Sequence, residues 1–244
     1  MKKQSLCSIL MLLISYELCS KMVDKPIILP SCLEIMNEII VIVSQSDFGE
    51  IVFSTLSKTL IGFVSVLVVS LILGILAGYF KGLFLFLFPM VTLLRTVPTV
   101  SIIIIILIWF GREVGPIFIV GLVVFPILYE LISGSMNQVD SDLEDVCYLF
   151  GSTPLEKFKA LYYPQVLISL YSGIQATLGL CFKVMVMAEV MAQSRLGIGQ
   201  ALNYEKTYLN MAGVFAWTIL LILIVLVFDG TVSIFMKRLL RELE

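Results

Sequence analysis

The sequence predicts an all-α integral membrane protein with about six transmembrane helices and a helical cytoplasmic loop. Three observations carry this prediction. First, 59% of the 244 residues are hydrophobic and only 14% are charged, with mean hydropathy +1.06; soluble domains hold roughly 45–50% and 25%. Second, uncharged apolar runs recur between the charged residues, each near the ~20 residues needed to cross a hydrocarbon core. Third, the polar middle of the chain, 135–163, carries two helix-start signals. The composition excludes a disordered, collagen-like or disulfide-scaffold chain. A formal net charge of −2 gives no basic surface for nucleic acid. The chain has no histidine, which removes Ser-His-Asp and Cys-His catalysis and the usual zinc ligand. With no paired acidic motif inside a span, an intramembrane enzyme is disfavoured. Cys7, Cys19, Cys32, Cys147 and Cys181 contain no C-x-x-C pair, so they read as small buried apolar residues and not as metal ligands.

The elements follow in order. Lys2 and Lys3 precede an apolar segment, Leu6 to Tyr16, that a signal peptide could also present. No small-x-small site follows it, and Glu17 and Leu18 spoil a lipoprotein box before Cys19, so a retained helix over 4–22 is expected. Residues 23–56 read as an external connector in which Pro26 and Pro30 open an amphipathic stretch; with the first helix they make an N-terminal unit, 1–56. The transmembrane domain, 57–236, holds the remaining spans at 57–80, 84–110, 114–134, 164–190 and 211–236, and 237–244 forms a cytoplasmic tail. The span 84–110 contains a single charge, Arg95. Basic residues number eight on the side of the termini and of 135–163 against six on the other, a bias that puts that side in the cytoplasm.

The 135–163 loop holds two candidate capping boxes. Ser141-Asp142-Leu143-Glu144 opens a helix whose Leu143, Val146, Cys147 and Phe150 share one apolar face. Gly151 follows where a left-handed residue ends such a helix. Thr153-Pro154-Leu155-Glu156 opens a second helix with Pro at its first position, and Pro164 is expected to stop it and start the next span. Two short helices about a glycine elbow suit either a hairpin lying on lipid headgroups or a docking element for another protein.

Here the residues resemble a known family. Asp145-Val146-Cys147, Gly151, Leu161 and Tyr163-Pro164 resemble the Glu-Ala-Ala loop of ABC importer permeases, with Gly151 and Pro164 at the family spacing and the two alanines replaced. Arg95-Thr96-Val97-Pro98, Trp109-Phe110-Gly111, Phe182-Lys183-Val184, Ala188-Glu189, Leu196-Gly197-Ile198-Gly199 and Leu29-Pro30-Ser31 resemble further family segments, so the likeness covers about 26–235. It is greatest to the nitrate, sulfonate, taurine, bicarbonate and thiamine-precursor branch. The resemblance implies a multi-pass subunit of the bacterial inner membrane that pairs with a second copy of itself. Two cytoplasmic ATPase subunits would dock on the loop, which places Asp145, Gly151, Ser152, Leu161 and Pro164 in the coupling site, and an external solute-binding protein would deliver the solute. No Gly-rich Lys-Ser/Thr loop is present, so no cofactor is expected on this chain and ATP acts through the partner subunits. The alternative is an ion-coupled secondary transporter, which usually carries an inverted repeat; no clear repeat is visible.

Candidate pathway residues are Arg95, Pro98, Lys183 and Glu189. Ionisable residues within spans are costly and face protein or water. Arg95 reads either as a pathway residue or as a structural arginine, Lys183 as pathway-lining or as paired elsewhere, and Glu189 as a gate or interface residue. Lys183 and Glu189 are six residues apart and point about 120° away from each other on a helix, so they do not pair. Two basic groups without an acid in the same helix favour an anionic or strongly polar solute. Gly74 and Gly78 predict close helix packing within the subunit, and Pro89, Pro98 and Pro126 predict kinks.

Overall fold

A computed structural model describes residues 2–23 and 25–241. The end of the expected tail, 242–244, lies outside the described residues. Among these every regular element is a helix, with no strand. Its elements are α1 (Lys2–Val23), α2 (Cys32–Ser44), α3 (Phe48–Tyr79), α4 (Lys81–Thr96), α5 (Thr99–Met136), α6 (Ser141–Leu149), α7 (Pro154–Lys157), a π-helical turn (Phe158–Tyr162), α8 (Tyr163–Ala192), α9 (Ile198–Thr207) and α10 (Met211–Arg241). Four helical stretches among the described residues are long and apolar enough to cross a membrane: Phe48–Tyr79, Thr99–Met136, Pro154–Ala192 and Met211–Ile234.

The expected span 84–110 appears as two helices. Pro98 has no N–H to donate and pushes the residue before it out of the helical region; Val97 accordingly sits at φ −67°, ψ 131°, between α4 and α5. A second break lies inside α5 at Gly111, with φ 71° and ψ −178°. There the chain doubles back. A Cβ on Gly115 would lie 2.8 Å from the Leu107 side chain, and the rings of Phe110 and Phe118 stack at 4.1 Å; residues eight apart in one straight helix would be about 12 Å apart. The arms 99–110 and 112–136 are therefore antiparallel. Val91 packs with Tyr129 and Arg95 meets Glu130, so α4 and the first arm together climb the second arm as one kinked rod.

The second arm also forms the core with α3. Gly62, Gly74 and Gly78 of α3 lie against Val120, Ile132 and Met136, a constant offset that makes the two helices parallel. The Gly74–Gly78 pair thus serves packing within the subunit, as expected. α8 completes the core through Val166, Leu170, Ile174, Leu178, Cys181 and Met185, which pack with Ile103, Ile119, Val124, Leu128 and Ile132. Burying a side chain of this size contributes about 1.5–3 kcal/mol in water. Inside a bilayer that drive is absent, and the close fit of small against large residues takes its place.

At the end of the molecule away from α6, Ile42, Ile51, Val186, Ile198, Ala216 and Trp217 form a second core. It seats α2 and α9 on the start of α10. Ser31 caps α2 through a reciprocal capping box with Glu34. α1 is held at this end by hydrogen bonds from Tyr16 Oη to the Pro30 carbonyl (2.8 Å), from Ser20 Oγ to the Leu29 carbonyl (3.0 Å) and from the Cys32 N–H to Glu17 Oε2 (3.0 Å).

Candidate functional site

Three clusters of polar residues stand out against this apolar frame. The first is the hairpin 140–164. Asp140, not Ser141, caps α6, accepting from the Asp142 N–H at 3.0 Å. The expected box with Glu144 does not form because Glu144 is engaged elsewhere: it accepts from Lys157 Nζ at 2.7 Å and from the Tyr162 hydroxyl. These two donors, Lys157 foremost, hold the Glu144 carboxyl below the usual carboxylate range. The clasp ties α6 to the foot of α8, and Tyr162 passes it to α3 through a ring contact with Tyr79 at 5.4 Å.

Gly151 makes the elbow at φ 68°, and the Ser152 N–H reaches back to the Cys147 carbonyl at 3.0 Å. A β-branched residue avoids that conformation. The second box forms as expected: Thr153 caps α7 reciprocally with Glu156, with Pro154 just inside. Pro164 does not stop the helix. The chain runs on from Pro154 to Ala192, and the turn before Pro164 widens so that the Tyr163 N–H bonds the Phe158 carbonyl, five residues back. A proline deprives the carbonyl four residues earlier of its donor and crowds it; the wider turn absorbs that defect. Asp145 and Gly151 are exposed, while Ser152, Leu161 and Pro164 are half-buried. Leu143 and Val146 of the expected apolar face are about half exposed. The most exposed apolar surface is the end of α6, where Tyr148, Leu149 and Phe150 are 82–86% exposed.

The second cluster surrounds Glu189, which is fully buried near the C-terminus of α8. Its carboxylate accepts from Thr55 Oγ1 (2.9 Å) and the Gly199 N–H (3.0 Å), and Lys58 Nζ lies 3.4 Å away. Lys58 also donates to the Leu196 carbonyl (2.8 Å) and sits 3.8 Å from Glu113. Glu113 accepts from the Arg195 N–H (2.9 Å), and Ser194 Oγ donates to the Arg112 carbonyl (3.1 Å). Glu189 thus ties α8 and the start of α9 to α3, while Lys58, Glu113 and Ser194 pin the 193–198 connector to α3 and to the turn of α5. The Glu189 carboxylate also accounts for two glycines, since a Cβ at Gly197 or Gly199 would collide with it.

The third cluster is a stripe on α8. Ser172, Gln175, Ala176 and Lys183 are exposed and Ser169 and Gly179 half-buried, with the apolar Ile168 and Met187 also exposed beside them, on a helix whose opposite face is apolar and packed. Among the described residues Lys183 makes no hydrogen bond or ion pair. Beside the stripe lies an open cavity of about 410 Å³ lined by Arg95, Glu130, Ser135, Gln138 and Ser169. Arg95 is ion-paired with Glu130, and both side chains remain about half exposed. Pro98 lies at the break above Arg95. The four expected pathway residues therefore separate: Arg95 and Lys183 open onto one face, Pro98 shapes the rod beside it, and Glu189 is sealed in the frame. Glu130, Lys58, Thr55, Glu113 and the Glu144 clasp were not picked out in the sequence. Each partner lies more than ten residues away along the chain, so no local spacing signals the pairing. Among the described residues, no group of three or more histidines, cysteines or acids is arranged to hold a metal.

Residues 70–241 match the family model described as the binding-protein-dependent transport system inner membrane component. An aliphatic sulfonates transport permease protein of Bacillus subtilis is 28% identical over 82% of this chain and 72% of its own length. A formylaminopyrimidine transport permease protein of Halalkalibacterium halodurans is 25% identical over 85% of this chain and 82% of its own. Among solved structures, a chain of the inward-facing MetNI methionine ABC transporter superposes with TM-score 0.60 at 16% identity, over 79% of this chain and 94% of that one; at that identity the likeness concerns the fold. These matches favour the ABC permease reading over an ion-coupled secondary transporter. With its family model covering well over half of its length, the chain belongs to the binding-protein-dependent transport system inner membrane components, the membrane permeases of ABC importers.

Proposed function

We propose that the chain works as a pair of copies enclosing a solute pathway, with two ATPase subunits docked on the 140–164 hairpins and a solute-binding protein delivering from the other side. The polar stripe of α8 carries this reading. A lysine facing acyl chains costs about 2.5–3.5 kcal/mol even on a lenient scale, and Lys183 stands exposed one turn above Gly179 on the same side of α8 as Ala176, Gln175 and Ser172. A face of that composition suits water and a second protein surface. In this reading α1, α3, α4 with the first arm of α5, the second arm, α8 and α10 make six crossings of a bacterial inner membrane, with the termini and the hairpin in the cytoplasm. The bare Tyr148, Leu149 and Phe150 tip supplies the apolar surface an ATPase would cover, and ATP is used there and not on this chain.

The named relatives move an aliphatic sulfonate and a formylaminopyrimidine, one anionic and one neutral. Glu130 compensates Arg95, so Lys183 is the uncompensated charge on the pathway face, and it favours an anionic or strongly polar solute. The test is co-purification with the ATPase subunit from membranes. The wild-type chain should retain it, and Tyr148→Ser/Leu149→Ser/Phe150→Ser should lose it while still inserting. Retention by the triple variant would refute hairpin docking.

A further inference from the structure

Resting on that reading of the α8 stripe, a second charged residue belongs to the same face. Asp229 lies within α10, half-buried, with Oδ1 closed to water and without a hydrogen-bond partner. α8 and α10 are antiparallel: Phe182 meets Phe228 edge-on at 5.5 Å, while Val186, further along α8, packs with Leu220 and Trp217, earlier along α10. Lys183 follows Phe182, and Asp229 follows Phe228. Each residue advances a helix by about 100° and 1.5 Å. In antiparallel right-handed helices, the residues that follow a facing pair turn to the same side of the seam. Their backbones differ in height by only about 3 Å, across axes about 8–10 Å apart. The four-carbon lysine stem spans most of that gap. On the same face one turn below Lys183, a Cβ on Gly179 would meet nothing within 4 Å, so the ammonium has room to swing.

We propose that Lys183 and Asp229 pair across the α8–α10 seam in one state of the transport cycle, and that an anionic solute replaces Asp229 as the lysine's partner in another. Both groups are costly to leave unpaired in a membrane, and here they stand apart on one face, so the pair is switchable. Asp229 acts through Lys183 and is a positioning residue. It keeps the lysine charged and oriented when no anion is present, and it releases the lysine when one arrives. No bond is made or broken in this exchange of ionic partners.

The transporter assembled in its own membrane, on a cysteine-free background, provides the test. Lys183→Cys/Asp229→Cys treated with a short rigid bismaleimide should give linked peptides by mass spectrometry at least fivefold above Ser172→Cys/Asp229→Cys, where the partner lies about 16 Å lower on the same stripe. Separately, a water-soluble acetylating reagent at pH 8 should modify Lys183 at least fivefold faster in Asp229→Asn than in wild type, and Asp229→Glu should restore the slow rate. A cross-link yield equal to the control, or a Lys183 rate unmoved by Asp229→Asn, overturns the pair. Failure to acetylate Lys183 in any variant would instead refute the water-facing stripe, and the cross-link would still decide whether the two residues adjoin.

Discussion

At the scale of single residues, Glu189 shows how much one buried carboxylate can organise. It satisfies a hydroxyl and an ammonium from α3 and an amide from α9, and among the described residues only Lys58 of those partners nears another acid, Glu113. Glu189→Ala leaves Lys58 and the Gly199 N–H facing a void; removing one member of a buried pair costs about 3–5 kcal/mol. Glu189→Gln keeps one acceptor and should cost less. Thermal unfolding of the purified chain in detergent checks the order, and equal losses would contradict it. Gly197, at φ 149° against the carboxylate, should tolerate alanine poorly, with a loss of about 1–3 kcal/mol from backbone strain alone. Sequence reading placed Glu189 at a helix end and made it a gate candidate; the frame role was hidden because its partners Thr55 and Lys58 lie over 130 residues away.

The hairpin is where sequence and structure can be compared element by element. Thr153–Glu156 and Gly151 behave as their local patterns require, because a capping box and a left-handed elbow are decided within four residues. Ser141–Glu144 satisfied the same pattern and failed, since Lys157 and Tyr162 outbid a backbone amide for Glu144. Pro164 failed as a stop signal because a π turn can accommodate a proline that an α turn cannot. Gly151→Val should yield subunits that insert but no longer couple ATP hydrolysis to transport, read as ATPase activity that solute-loaded binding protein does not stimulate; normal stimulation would contradict it. The Glu144 clasp also carries a pH dependence. Its carboxyl titrates lower folded than unfolded, so the clasp is intact at neutral pH and is lost only as pH falls below the ordinary carboxylate range and through the depressed folded value. Protection of the α6 amides, taken as exchange relative to the intrinsic rate at each pH, should fall across that range in wild type and be low and flat in Glu144→Gln; a flat wild-type profile would contradict it.

For the whole molecule, composition and apolar runs were enough to reveal an all-helical chain with long apolar helices. They did not show that 84–110 is a rod broken at Pro98, that α5 reverses at Gly111, or that α3 and the second arm of α5 run parallel, because these depend on contacts between segments far apart in sequence. Topology is testable by labelling: single cysteines at Asp142 and Lys157 should react only from the cytoplasmic side and one at Lys25 only from outside, and the reverse would undo the ATPase docking. The central claim is that the α8 stripe faces a watery route between two copies. The most direct measurement is maleimide labelling of Ser172→Cys in the assembled transporter, on a cysteine-free background. A water-soluble, membrane-impermeant maleimide should label it, and a bifunctional one should link two copies through it. Reaction only with a lipid-soluble reagent, and no linked dimer, would mean that the stripe faces lipid and that the claim is wrong.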